Sequence, residues 1–352
     1  MRGPDDGPHG KPMEPTEVYD TYWRFAAERQ SIYLRRLTGE PAPWTQDPVM
    51  RHYRFTNAYR ASDRVSQYLI REILYREDRP QAPREVFFRT MLFKLFNKIE
   101  TWEAVERRLG PVTFESTEVG AISAVLDDLR GQGRAIYSAA YIMPAPRLGK
   151  VRKHDNHLAL LLRMMNDRLP ERIRQAGSLA AVYEMLLRYP GLGGFLAFQY
   201  AIDLNYSKLL DFEESDFVIA GPGALDGIAK CFSDTGGLSP EEIINRVADD
   251  QDRSFSRLGI AFPGLQGRPL QPIDCQNLFC EISKYARVAH PTYKGVAGRT
   301  KIKQSYKAHP LPLPSPMFPP RWRIGPTALS GEYATAGSAV LSDQMTQMAM
   351  AL

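Results

Sequence analysis

Asp211, Glu213, Glu214 and Asp216 stand close together just ahead of a glycine-proline turn, Gly221-Pro222-Gly223-Ala224. Asp216 is followed by Phe217, Val218 and Ile219, apolar neighbours that can strip water from it. A desolvated carboxylate beside a bound nucleotide can orient a water or stabilise a cationic sugar, the electrostatic requirement of N-glycosidic bond cleavage. The other assignment for Asp216 is a helix cap. A second acidic pair, Asp274 and Glu281, falls seven residues apart on one helical face with Lys284 and Arg287 nearby. It reads either as catalytic machinery or as a buried polar network that fixes the helix. Between Tyr53 and Tyr68, Tyr53, Arg54, Asn57 and Arg60 mix aromatic faces with amide and guanidinium donors. Such groups hold an everted base by its face and edge, and Asn97 can join them. Alternatively the aromatics are core and the arginines bridge helices.

These residues need elements to position them. Leu179, Val182, Tyr183, Leu186 and Leu187 recur at helical spacing, and Phe195, Leu196, Phe198, Gln199 and Ile202 resume it after Pro190-Gly191-Leu192-Gly193-Gly194. Pro190 and Gly191 stop the first helix, while Gly193-Gly194 permits positive φ and close backbone approach. The amides that open the second helix suit a phosphate oxygen, which makes Gly191, Gly193 and Gly194 candidate contacts to a nucleic-acid backbone. Lys208, Lys284 and Arg287 are candidate cations for the same backbone. A plain helical hairpin with a glycine turn is the competing assignment.

The net charge is +5, and its distribution says more than its total. No Asp or Glu occurs from Ile282 to Ser330, a stretch carrying Lys284, Arg287, Lys294, Arg299, Lys301, Lys303, Lys307, Arg321 and Arg323 with tyrosines between. A second basic loop runs Arg147-Leu148-Gly149-Lys150-Val151-Arg152-Lys153-His154. Charge runs are ordinarily solvated faces, but beside the hairpin they make double-stranded DNA the expected partner; no membrane is expected, since the uncharged stretches are too short to span one. Cys231, Cys275 and Cys280 lack the four-ligand spacing of a zinc or iron–sulfur site, so no metal and no cofactor is implied. No Walker A pattern occurs, which speaks against kinase activity in this chain. With acids, glycine and proline where a leader would be apolar, the expected location is cytoplasmic.

Helical stretches are expected at about 18–37, 84–108, 117–131, 155–169, 178–189, 195–207, 222–232, 240–250 and 274–288, with a dense aromatic run over 53–75. No alternation of strands and helices appears, so the expected class is all-α. Residues 1–15 read as a disordered N-terminus, 16–307 as a single helical domain with its core at 50–307, and 308–352 as a proline-rich disordered tail.

In order, Tyr53-Arg54-Phe55-Thr56-Asn57, Phe93-Lys94-Leu95-Phe96-Asn97-Lys98, Pro190 to Gln199, Gly221-Pro222-Gly223-Ala224 and Asp274 to Glu281 resemble the helical domain found with 5-hydroxymethyluracil DNA kinases. That domain is related to the α-glutamyl/putrescinyl-thymine pyrophosphorylases of phage DNA hypermodification, and the wider group looks like an offshoot of the helix-hairpin-helix DNA glycosylases. The resemblance implies an all-α, glycosylase-like helical bundle, nucleotide flipping and a catalytic aspartate about twenty residues beyond the hairpin. Asp216, 23 residues after Gly193, is the match. Phe195 occupies the position of the Schiff-base lysine of bifunctional glycosylases, and the iron–sulfur cysteines are missing. The implied activity is excision of a hypermodified pyrimidine from DNA by a monofunctional glycosylase. Two alternatives stay open: a transferase that installs an amine or amino acid on pyrophosphorylated 5-hydroxymethyluracil, and a noncatalytic DNA-binding module. DNA-modification or defence proteins are the implied protein partners.

Overall fold

A computed structural model of the protein describes residues 11–139, 143–308 and 313–325. In chain order its elements are β1 (Glu14–Pro15), α1 (Glu17–Leu37), α2 (Pro48–His52), α3 (Arg64–Tyr68), a π-helical segment (Leu69–Leu74), α4 (Pro83–Phe96), α5 (Ile99–Leu109) and α6 (Val119–Gly131). There follow α7 (Lys153–Asn166), α8 (Leu169–Arg174), α9 (Leu179–Leu187), α10 (Gly194–Asn205), α11 (Pro222–Cys231), β2 (Phe232–Asp234), α12 (Pro240–Asp249), α13 (Gln251–Arg257) and α14 (Pro272–Ala289). The fold is mostly helical, with two units: one takes the described residues up to Ser62 and from Ala220 onward, the other Asp63–Ile219. The all-α expectation needs one correction, because β1 and β2 pair antiparallel, with Glu14 opposite Asp234.

In the first unit, glycine decides how closely two helices approach. Gly223 and Gly227 lie one turn apart on α11 and face α14. A Cβ on Gly223 would meet Cys280 Sγ at 2.8 Å, and one on Gly227 would fall on the carbonyl of Phe279. The Gly-Pro-Gly turn thus serves helix packing. α1 lies across both helices. Its Tyr22 ring sits 4.7 Å from Phe279, its hydroxyl donates to the Cys275 carbonyl at 3.2 Å, and Trp23 packs edge-on to Phe255 of α13. Asp226 and Lys230 of α11 are buried, 3.3 Å apart, and the Ser283 hydroxyl of α14 donates to Asp226. Burial opposes ionisation of Asp226, but Ser283, the Ala297 amide and Lys230 outweigh it and hold the carboxyl below its ordinary range.

The acid-free segment beyond α14 is fastened by its backbone. The Ala297 amide donates to Asp226 at 2.7 Å, Arg287 donates to the Lys301 carbonyl at 3.2 Å, the Arg54 amide to Gln304 at 3.0 Å and the Tyr306 amide to His52 at 2.9 Å. Parts of the two stretches read as disordered have definite structure. In the first, Glu14 and Pro15 pair with Asp234 and Phe232 as β1. In the proline-rich tail, Trp322 receives the Arg268 guanidinium over its ring at 3.9 Å and Gly325 exchanges hydrogen bonds with Gln266. Aromatic and paired polar contacts provide order that the proline content concealed. Residues 1–10, 309–312 and 326–352 of those stretches lie outside the described residues.

In the second unit α4 is buried from Glu85 to Phe96 and packs on the π-helical segment, α5, α7, α8 and α10. A helix enclosed on every side has no polar face, so its polar residues need partners in the core. Glu85 accepts the amides of Phe114 at 2.8 Å and Glu115 at 3.2 Å, while Arg89 donates Nε to the Ile73 carbonyl at 3.4 Å. The single stretch expected over 84–108 is broken at Asn97, which takes the left-handed conformation (φ 51°) and caps α4. Asn is among the few non-glycine residues that adopt it readily.

Because Gly227 has no room for a methyl group against a backbone carbonyl, Gly227→Ala should lower stability by about 1–3 kcal/mol, or more if α11 is forced away from α14. Gly237→Ala, with open space around its Cβ position, isolates the backbone effect of a positive φ. Urea unfolding of both variants separates the two, and an unchanged Gly227→Ala midpoint would refute the close-packing account.

Candidate functional site

α9 and α10 form the hairpin expected from sequence, with one change in its glycine chemistry. Positive φ belongs to Gly191 (84°), not to Gly193, which is the N-cap of α10 with φ −77°. The chain reverses at Gly191, so Gly193 already lies in extended backbone that any residue adopts. Gly193 is exposed, and a Cβ there would meet nothing within 4 Å. Gly191 lies against Pro144 and Pro146, whose segment is held in turn by α7. His157 bonds through Nε2 to the Pro144 carbonyl at 3.0 Å and through Nδ1 to the Tyr137 hydroxyl at 2.7 Å. A carbonyl only accepts, so Nε2 carries the proton and Nδ1 accepts from Tyr137. Burial pushes the His157 pKa down to about 4.

The carboxylate segment after the hairpin hangs from α10. Asn205 donates to the Phe212 carbonyl at 2.9 Å and accepts its amide at 3.0 Å. Asp216 is exposed, and its carboxylate accepts from the neighbouring Ser215 hydroxyl at 3.4 Å. The desolvation expected for it is not found, for a packing reason. Phe217 turns to Tyr183 of α9 and Phe198 of α10, 5.2 and 5.8 Å away, so its ring docks on the hairpin helices instead of covering the carboxylate, and Val218 is itself buried. Lys208 is exposed near the Tyr75 ring.

The polar centre of this unit lies between two helices whose sequence pattern is that of apolar core. α10 is buried from Leu196 to Asn205, yet it carries Gln199, Asp203 and Asn205. Asp203 meets Lys94 of α4 at 3.1 Å, both essentially inaccessible, and Lys94 donates to Asn97 at 2.7 Å. Tyr200 donates to the Lys94 carbonyl at 3.2 Å. Asn97 is therefore fixed by a cap and an ammonium. The signal was present as Gln199 and Asp203, four residues apart in an otherwise apolar helix.

Of the residues singled out in the first unit, Arg60 meets Asp274 and Lys284 meets Glu281, while Tyr53 and Arg54 pair through their backbone with Ser305 and Gln304. Arg29 of α1 donates to the Thr56 carbonyl at 2.8 Å and to Asn57 at 3.1 Å, and Asn57 donates to the Ser62 carbonyl at 2.9 Å. Asp274 accepts the amides of Arg60 at 2.7 Å and Gln271 at 3.0 Å. Glu281 accepts the Thr56 amide at 3.2 Å and pairs with Lys284 at 2.6 Å. Both carboxylates are thus committed to holding a loop on α14, the structural alternative for this pair. Arg287 is half-buried and reaches Ser283 and the Lys301 carbonyl, so its expected role as a backbone cation is replaced by an internal one. Arg60 is buried and Tyr53 half-buried, while Arg54 is exposed.

The three cysteines are free thiols, and burial raises Cys275 and Cys280 to about 12. Among the described residues no group of His, Cys, Asp and Glu could hold a metal ion, and no helix is long and apolar enough to cross a membrane.

Residues 16–295 match the family described as 5-hmdU DNA kinase, helical domain. The chain belongs to this family. The match includes the hairpin, the Lys94–Asp203 pair and the loop on α14, so each of these sites is part of the helical domain. The 5-hmdU DNA kinase of Bacillus phage SP10 is 29% identical over 286 residues, 76% of this chain and 45% of that protein. The chain therefore spans less than half the length of that relative. No solved structure matches it.

Two outcomes follow for the helical domain. Breaking one partner of a buried ion pair leaves an uncompensated charge, so Asp203→Leu should cost about 3–5 kcal/mol, and Lys94→Met in the same chain should recover much of the loss. Equal instability of single and double variants in urea would refute the coupling. For His157, the unfolded imidazole protonates near pH 6.5 and the buried one only near 4. Its contribution is complete above pH 6.5 and is lost as the pH falls toward 4, by about 3 kcal/mol. His157→Gln should flatten that slope in unfolding titrations.

Proposed function

We propose that this chain binds duplex DNA and acts on a 5-hydroxymethyluracil-type base, modifying its substituent, as the helical part of a DNA-modification system. The family match over residues 16–295 carries the reading. In this reading the architecture is a helix-hairpin-helix bundle of the glycosylase type, with the first turn of α10 open at Gly193 toward a phosphate and the exposed cations Lys208, Lys294, Arg299, Lys301, Lys303 and Lys307 adding long-range attraction.

Chemistry at the substituent is favoured over base removal for two reasons. The relative from Bacillus phage SP10 is named for a kinase acting on 5-hmdU DNA, and phosphorylation of that group leaves the glycosidic bond intact. In addition, Asp216 lacks the apolar cover that a glycosidic-bond aspartate of the desolvated kind would need. The reaction is then displacement of an activated leaving group from the 5-hydroxymethyl carbon by an amine or amino acid. Base excision through Asp216 is the second reading, and its spacing after the hairpin favours it.

Full-length chain is incubated with duplexes containing 5-hydroxymethyluracil or its pyrophosphorylated form and a panel of amines, and nucleosides and released bases are analysed by mass spectrometry. Transfer gives a nucleoside of changed mass. Free base and alkali-labile sites would instead establish excision, and neither product with salt-sensitive binding would leave a binding module. The hairpin contact has its own test. Gly193→Asp places a good N-cap where there is space, so melting should not fall, yet the added anion should weaken DNA binding about tenfold, or ~1.4 kcal/mol, at low salt. Unchanged affinity would remove the hairpin from the interface.

A further inference from the structure

The basic loop ahead of α7 is shaped by one buried side chain. Asn156 accepts the amides of Leu148 at 2.9 Å and Lys150 at 3.2 Å, and donates to the carbonyls of Lys150 at 2.7 Å and Arg152 at 2.9 Å. Four bonds to one amide group give the loop a definite form. Its base is the Pro144–Pro146 segment that lies against Gly191 of the hairpin, so loop and hairpin share one edge of the second unit. Val151 stands at the tip with a relative exposure of 104%, projecting wholly into solvent. Single apolar surface residues are ordinary, but this one is held rigidly among cations. Arg152 is drawn back to Asp127 and Asp155, and Lys153 lies over the Tyr137 ring at 4.4 Å. Arg147 and Lys150 are exposed and make no ion pair among the described residues.

We propose that Val151 is a wedge that enters the base stack of duplex DNA, with Arg147 and Lys150 on flanking phosphates, opening the step from which the modified pyrimidine turns out. The inference rests on the DNA-binding reading above. Unstacking a base step costs a few kcal/mol, which phosphate contacts on either side can offset. A β-branched side chain suits the task because it has few rotamers to lose on insertion. Val151 is a positioning residue in this scheme and takes no part in bond making.

The test uses the full chain and a duplex with 2-aminopurine beside 5-hydroxymethyluracil. Binding of the unaltered protein should raise 2-aminopurine fluorescence several-fold. Val151→Ser should abolish most of that rise while changing the dissociation constant less than about threefold at low salt, and Val151→Leu should restore it. Lys150→Ala should lower the slope of log affinity against log salt by about 1. Both positions are exposed, so melting temperatures should stay unchanged. A full fluorescence rise with Val151→Ser would overturn the wedge. DNA binding by the unaltered protein without any rise would also overturn it while leaving the DNA-binding reading intact, whereas no binding even at low salt would sink both.

Discussion

The second unit depends on a constraint that buried helices impose on themselves. α4 and α10 are enclosed along most of their length, and each carries charged or amide side chains that water does not reach. An unpartnered buried charge costs several kcal/mol, so Lys94 and Asp203 hold one another and thereby fix the rotation of one helix against the other. The hairpin and the carboxylate segment inherit their positions from that arrangement. Asn205 sits on the same helix as Asp203, and the clamp it makes on Phe212 sets where the chain leaves the bundle.

The first unit solves a related problem by giving up side chains. Without Cβ atoms at Gly223 and Gly227, α11 settles onto the backbone of α14, and its polar residues reach across a short gap to Ser283 and the strap at Ala297. The buried carboxylates of this unit each accept backbone amides: Asp226 from Ala297, Asp274 from Arg60 and Gln271, Glu281 from Thr56. Each stops a loop from drifting. The acidic residues that looked most like a reacting pair are thus part of what keeps an aromatic and guanidinium-rich loop in place.

The helices of this chain were largely legible from periodicity, because most of them bury one stripe and expose another. Legibility failed where that asymmetry vanishes. α4 runs into α5 in the sequence pattern, and only the left-handed Asn97 divides them. In α10 the periodic pattern counts Gln199 with the apolar positions and passes by Asp203, although polar residues in an otherwise apolar helix are themselves the sign of a buried centre. The exposure of Asp216 has the opposite cause: Phe217, apolar and next to it in sequence, turns to the hairpin helices and gives the carboxylate no cover. The motifs nevertheless led to the family, because their order along the chain is independent of how each residue is used.

The way the basic segment beyond α14 is fastened has a consequence for how its charge can change. Its anchors are main-chain groups at Ala297, Lys301, Gln304 and Tyr306, and the side chains of Lys294, Arg299, Lys301 and Lys303 contribute nothing to them. Fold and electrostatic field are therefore separable here. The lysines and arginines of this strap can be exchanged, neutralised or multiplied without unfastening it, which leaves the strength of attraction for a polyanion free to vary while the architecture beneath stays constant.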